Sequence, residues 1–498
     1  MVGVRPQGAR RLKEDSAQSE RKTILKGAGL AMAGFLVRPL SRVPFLFIIG
    51  RIYGETAFGR LVFAVGLFEA AAAFARLGVR DTLFRFLAET SGDHESVIAD
   101  CLALSGGLAV LTALAVFAGA TIAPIYFGSA DLWAALRALA PLLPVFVLTD
   151  ILLAASRAQR TVGYEVAARS VVEPALLTLS AAGLGLMGRP SGLLEAYTLA
   201  QLSSFGIAVL GVARRYRWCA AHRPSWRRMK AYAAVSFPTG LADCMNLAFM
   251  TTGVVAVGQF SGPAALGVYG MAQNLETALS KIRQAFDMVV APTVGRRLND
   301  GGAELTAQLR DIGRWILNAQ LPLFMLFLLF GDLVLGLFGK HFATGAPVLV
   351  WLTLVAVIDG TLNLAQVPLY LKRPRTNSVI AFTGLAVHIG LCCVLVPKLG
   401  PVGAGISMAC AVSLAGCLRQ TATRRLLGHW LVDFKMLKPI VAAGAGYAVA
   451  KAIAPGDAPT ATRLIAGAGF LAVYGVTVVA LDADLRRRLL TAAKTRVN

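Results

Sequence analysis

Residues 25–50 read LKGAGLAMAGFLVRPLSRVPFLFIIG. A helix needs about 20 mostly apolar residues to cross a bilayer, and this run is long enough. It also carries Arg38 and Arg42, four apart on one helical face, beside Pro39 and Pro44. An arginine near the bilayer centre costs about 2.5–3.5 kcal/mol on insertion scales, so it is normally kept there only against a partner or a wet cavity. The stretch therefore predicts a membrane span with a polar task. Basic residues ahead of an apolar run resemble a secretory signal, but the length, the two arginines and the missing small-residue cleavage pattern favour a retained span.

The rest of the chain reads the same way. Of 498 residues, 56% are hydrophobic and 15% charged, with a mean hydropathy of +0.65. Soluble domains are nearer a quarter charged. Fourteen spans are predicted, near 24–50, 57–78, 98–124, 132–155, 162–187, 191–213, 231–258, 264–290, 313–338, 346–371, 377–397, 401–421, 437–455 and 461–481. The longest connection, 291–312, has 22 residues, too few for a separate domain. The expected class is an all-α integral membrane protein.

The net charge of +22, from 49 Lys+Arg against 27 Asp+Glu, has two readings. One is nucleic acid; the other is basic cytoplasmic loops. Position decides. Alternate connections hold 36 of the 49 basic residues on one side and 7 on the other, with 6 inside spans. That asymmetry predicts cytoplasmic termini and no nucleic-acid partner. The seven cysteines lie in or beside spans, so no disulfide framework is expected.

Shifting the sequence by about 208 residues lays spans 7 and 8 on spans 1 and 2. Gly59 of AFGRL then meets Gly267 of ALGVY, and Glu69 and Arg76 correspond, with a one-residue gap, to Glu276 and Arg283. A repeat of six spans gives two halves of the same orientation, a transporter signature. The expected organisation is a basic tail (1–23), an N-terminal lobe (24–213), a basic linker RRYRWCAAHRPSWRRMK (214–230) and a C-terminal lobe (231–421). Spans 13 and 14 (437–481) and a tail (482–498) follow.

Charges at membrane depth are the candidate site. Span 8, GVYGMAQNLETALSKIRQAFDMVVAPTVGRR (267–297), holds Glu276, Lys281, Arg283 and Asp287 and is polar enough to need a wet surrounding. Arg283 and Asp287, four apart, have the spacing of a local pair. Glu165, Arg169 and Glu173 in span 5 read as a self-neutralised triad, while Arg42 and Arg137 have the alternative of snorkelling to an interface. Glu69, Asp243, Glu276 and Asp359 are isolated acids, suited either to a coupling ion or to salt bridges with the arginines. His388 stands alone in span 11. Guanidinium groups take phosphate oxygens bidentately, so cations at this depth suggest an amphiphile with a phosphate head group.

Residues 25–89, ending VRDTLFRFLAE, resemble the polysaccharide transporters, the Wzx-type oligosaccharide flippases of the multidrug/oligosaccharidyl-lipid/polysaccharide flippase superfamily. The glycine after span 1, AFG opening span 2 and the proline-bearing end of span 8, VVAPTVGRRL with Pro292, carry the resemblance. It is clearest over 20–90 and 230–300. It implies a V-shaped bundle of two six-helix lobes plus two C-terminal helices. The implied activity is flipping of undecaprenyl-diphosphate-linked oligosaccharide across the bacterial inner membrane, for lipopolysaccharide or exopolysaccharide synthesis. Lumen cations of related lipid flippases fall in spans 1, 2 and 8, which here matches Arg38, Arg42, Arg76, Lys281 and Arg283. A proton or sodium gradient, with no bound cofactor, is the implied coupling, and a polysaccharide polymerase and co-polymerase are the implied partners.

Two other classes compete. A peptidoglycan-precursor flippase or cation-coupled drug exporter would share the architecture, although a drug exporter calls for an acidic lumen and usually has twelve spans. A membrane-bound polymerase or ligase would need a sizeable outer loop. The outer connections here are near ten residues, without paired carboxylates or metal-ligand clusters, and no G-x-x-x-x-G-K-[ST] run is present. No catalytic or metal-binding residue is therefore assigned, and a carrier is expected rather than an enzyme.

Overall fold

The computed structural model describes residues 42–90, 92–158, 163–214, 216, 222–297, 302–455 and 458–481. Arg38 lies outside the described residues, as do most of span 1 and both tails. The described chain is helical throughout, with α1 (42–53), α2 (Gly54–Arg76), α3 (His94–Phe127), α4 (Ala130–Ala158), α5 (163–186) and α6 (Gly192–Ala213). A single run, Trp226–Arg297, supplies α7 (226–261) and α8 (263–297). Then come α9 (Gly302–Gly336), α10 (Ala346–Leu362), α11 (Pro374–Leu399), α12 (Pro401–Leu427), α13 (Leu437–Ile453) and α14 (Thr460–Leu481).

Eleven helices among the described residues are long and apolar enough to cross a bilayer, against fourteen expected spans. The difference has three sources. The described end of span 1 continues into span 2 as one run, Arg42–Glu89, and spans 7 and 8 run on as Trp226–Phe286. The α5 segment is not among the eleven because Glu165, Arg169 and Glu173 interrupt its apolar sequence.

The joints follow from local chemistry. Gly262, at φ 83°, breaks the long run between α7 and α8, and Pro263 opens α8 without needing an amide hydrogen. At the end of α2, Leu77 and Gly78 both turn left-handed, and the short helix Val79–Glu89 departs in a new direction. Two stretches wind more loosely, as π-turns: Ile49–Tyr53 before α2 and Val166–Val172 within α5. Such turns recur at functional sites.

The chain packs as two compact units, Met1–Leu247 and Ala248–Asn498, with the boundary inside α7. In unit 1, α4 is the centre: Phe146, Val147, Ile151, Leu153 and Ala154 are buried on it. Val79, Leu83, Ile98 and Cys101 pack with its lower half, together with Ala208 and Val212 of α6. By contrast Val110, Leu111, Leu114 and Phe117 of α3 are exposed, as expected of a lipid-facing surface.

In unit 2, α12 presents a buried face of small residues, including Gly403, Ala404, Gly405, Ser407, Ala411 and Gly416. An added Cβ at Gly405 would come within 2.8 Å of Trp351, and one at Gly416 within 2.7 Å of Leu362. Lipid tails are as apolar as leucine, so close approach of small residues, rather than water exclusion, drives such helix pairs together. A second cluster gathers Leu317, Leu321 and Phe324 of α9 with Ala442, Ala443, Phe470 and Tyr474 of α13 and α14.

Candidate functional site

Each unit holds an arginine–aspartate ion pair between helices, buried in unit 1 and only half-buried in unit 2. In unit 1, Arg76 at the end of α2 donates from Nη1 to Oδ2 of Asp150 in α4 at 2.6 Å. The two side chains are 10% and 7% exposed. The other carboxylate oxygen, Oδ1, accepts from Nη2 of Arg169 at 2.6 Å. Arg169 continues to Glu173 at 2.8 Å and Gln201 at 3.1 Å, and Gln201 returns a bond to Glu173 at 3.2 Å. Its guanidinium also stacks 4.9 Å from the Phe146 ring. The π-turn places Arg169 opposite Asp150, and the network ties α2, α4, α5 and α6 together. Arg76 and Arg169 are balanced by Asp150 and Glu173, and a third arginine, the half-exposed Arg80, stands 4.0 Å from Asp150.

In unit 2, Arg283 of α8 pairs with Asp359 of α10. The partners are separated by 74 residues in the first pair and 76 in the second, so the repeat of the sequence reappears as a repeated contact. The second oxygen is served differently. Oδ1 of Asp359 accepts from Nδ2 of Asn363 at 3.0 Å, and Oδ1 of Asn363 accepts from Nη1 of Arg419 in α12 at 2.6 Å. Arg419 then donates from Nε to Asn377 of α11 at 3.1 Å. Glu276, which accepts from Ser280 at 2.5 Å, lies within electrostatic range of Asp359. The Asp359 carboxylate is 37% exposed, where Asp150 is 7% exposed.

The other expected site residues fall as follows. Arg42 is exposed at the start of α1. Glu69 is half-buried in α2, within electrostatic range of Tyr197. Asp243 is half-buried in α7 and faces Asp81, with Arg76 and Arg80 nearby. Lys281 bonds Gln284 of its own helix at 2.7 Å. Thus Arg283, Asp359 and Glu276 gather in unit 2, and Arg76 and Asp243 in unit 1.

Arg283 reaches across to α10, and the Asp287 side chain, its expected local partner, lies outside the described residues. Local spacing misled in one place. Of the expected Glu165–Arg169–Glu173 triad, only the second half forms. Glu165 turns to Arg157 at 3.3 Å, because the π-turn shifts the register between Glu165 and Arg169. His388 is fully buried in α11, bonded to Ser407 of α12 at 3.1 Å, and stacks on Phe249.

Two residues central to these networks escaped the sequence reading. The signal for Asp150 is the repeat: the shift that lays Arg76 on Arg283 brings Asp150 within a residue or two of Asp359 in register. Arg419, at the end of the expected span 12 (401–421), counts with the basic residues of the connection that follows, but α12 continues to Leu427 and buries it.

The described residues thus form an all-helical bundle in which each unit holds an arginine–aspartate pair between helices. The chain belongs to the polysaccharide biosynthesis protein family, which matches residues 48–347. No curated protein sequence matches it. Among solved structures it is similar to the lipid II flippase MurJ in an inward closed conformation, with a TM-score of 0.75 and 11% identity over 93% of this chain and 99% of that one. An inward-facing multidrug resistance MATE family transporter of the MOP superfamily gives a TM-score of 0.62 and 16% identity, over 80% of this chain and 98% of that one. Its outward-facing counterpart gives 0.55 and 15%, over 81% and 96%. At these identities the likeness is one of fold. This is a multi-pass membrane protein with the fold of that superfamily.

Proposed function

We propose that the protein is a flippase that carries undecaprenyl-diphosphate-linked oligosaccharide from the cytoplasmic to the periplasmic leaflet of a bacterial inner membrane, by alternating access, for lipopolysaccharide or exopolysaccharide assembly. The observation that carries this reading is the Arg283–Asp359 pair. It sets a guanidinium of a candidate membrane span beside a carboxylate that is more than a third exposed, in a chain of a polysaccharide biosynthesis family. A lipid-linked diphosphate is the anion such a position suits, because it reaches such a span with its tail still in lipid. Arg38, Arg42 and Lys281 remain candidates for further contacts with the head group. Arg76, held against Asp150, serves as a support. On this reading the protein is a carrier rather than an enzyme, with Glu69, Asp243 and Glu276 as candidates for coupling to a proton or sodium gradient.

The test is export in a strain lacking the chromosomal copy. Arg283→Ala is expected to accumulate to normal levels in the membrane and to abolish surface polysaccharide. Full export by that variant would remove Arg283 from the substrate path. The fold shared with a lipid II flippase favours a second reading, transport of a peptidoglycan precursor. Rescue of a strain depleted of its own peptidoglycan flippase would establish that reading; failure to rescue is the expected result.

A further inference from the structure

The two ion pairs differ in one respect. Asp150 in unit 1 is held directly by two guanidinium groups, Arg76 and Arg169. Asp359 in unit 2 is held directly by one, Arg283, while a second, Arg419, stands one amide away behind Asn363. Arg419 is 8% exposed, and its bonded acceptors among the described residues are the neutral amides of Asn363 and Asn377. A buried guanidinium supplied by amides alone keeps an unspent attraction for a carboxylate. Asn363 meanwhile bonds both Asp359 and Arg419, so the carboxylate and the second cation are already connected through one side chain.

An anion that takes the Nη1 edge of Arg283 competes with Asp359 for it. Leaving a partly buried carboxylate without its cation is costly, and that cost sets how weakly the anion binds. A nearby cation able to receive the displaced carboxylate lowers it. We propose that Arg419 is this receiver: when a diphosphate binds Arg283, Asp359 passes from Arg283 to Arg419 across Asn363, so unit 2 holds an exchangeable anion site where unit 1 holds a fixed one. Arg419 is thus a positioning residue that acts through Asp359. The proposal rests on the flippase reading for the identity of the natural anion, but the exchange itself needs only a diphosphate.

The test uses the purified full-length protein in detergent and inorganic pyrophosphate as the probe, with binding measured by calorimetry at constant ionic strength. Asp359→Asn, which takes the competing carboxylate from Arg283, is expected to tighten binding by about tenfold, the worth of one charge-assisted contact. Arg419→Gln is expected to weaken it by a similar factor in the native background and to change it little in the Asp359→Asn background, where there is no carboxylate to receive. Arg419→Lys should restore part of the loss. If Arg419→Gln does not fold, Asn363→Asp places a permanent carboxylate against Arg419 and should weaken binding in the same way.

Equal weakening in both backgrounds would mean that Arg419 is structural or binds the anion itself, and would overturn the exchange. So would a native protein that supports export but binds no pyrophosphate at millimolar concentration. The flippase reading fails separately. Proteoliposomes that do not flip lipid-linked oligosaccharide would refute it even if the pyrophosphate cycle behaves as expected.

Discussion

At the scale of single residues, two arginine–aspartate pairs of similar chemistry differ in how the carboxylate is surrounded. Asp150 has both oxygens filled by arginines and is almost sealed from solvent. Removing one member of such a buried pair strands its partner and costs about 3–5 kcal/mol. Arg76→Gln should therefore lower the melting temperature of the detergent-solubilised protein. Asp150→Asn should lower it further, because it takes the carboxylate from both Arg76 and Arg169, whereas Arg76→Gln leaves Asp150 paired with Arg169. Equal melting of both variants and the native protein would contradict the supporting role given to this network. The sequence makes Arg76 and Arg283 conspicuous, since arginines inside apolar runs need an explanation. Their partners are harder to see, because Asp150 and Asp359 lie more than seventy residues away and only the fold closes that distance.

At the scale of elements, unit 1 depends on one unusually close crossing. A Cβ on Gly78 would stand 2.5 Å from the backbone nitrogen of Gly240, and one on Gly240 would stand 2.5 Å from the backbone carbon of Leu77. Thr82 and Ser236 share a hydrogen bond at 2.6 Å beside it. Gly78 also sits at φ 72°, so a side chain there is strained as well as crowded. Gly240→Ala is expected to cost about 1–3 kcal/mol through overpacking, and Gly78→Ala more, because it adds the left-handed penalty. Melting temperature in detergent checks the order. The helices themselves were legible from apolar run length, and eleven runs among the described residues are long and apolar enough to cross a bilayer. Joints were less so: Gly262–Pro263 has a clear sequence signal, whereas the π-turns at Ile49–Tyr53 and Val166–Val172 contain no marker that distinguishes them from ordinary helix.

At the scale of the whole molecule, charge asymmetry gives the strongest expectation about placement in the cell. The 36 basic residues assigned to one side should orient that side toward the cytoplasm. Reporter fusions after residue 222 and at the C-terminus should be active for a cytoplasmic reporter and silent for a periplasmic one. The opposite pattern at both sites would reverse the proposed direction of transport. Arg419 marks the limit of such counting. Assigned to a loop, it adds to the topological surplus; inside α12, it joins a site. A helix that outlasts its apolar run by two turns was the unreadable part, because the end of hydrophobicity need not be the end of helix.

The π-turn at Val166–Val172 has a consequence for how this chain can vary. Such a turn accommodates one residue more than a regular helix of the same length. Loss of a single codon there would restore regular winding and rotate everything on one side of it by about 100° relative to the other. Arg169 would then swing away from Asp150 with no side chain altered in chemistry. Between Glu165 and Glu173, length is therefore as constrained as identity, and a descendant could lose this network through a deletion that leaves every one of its charges in place.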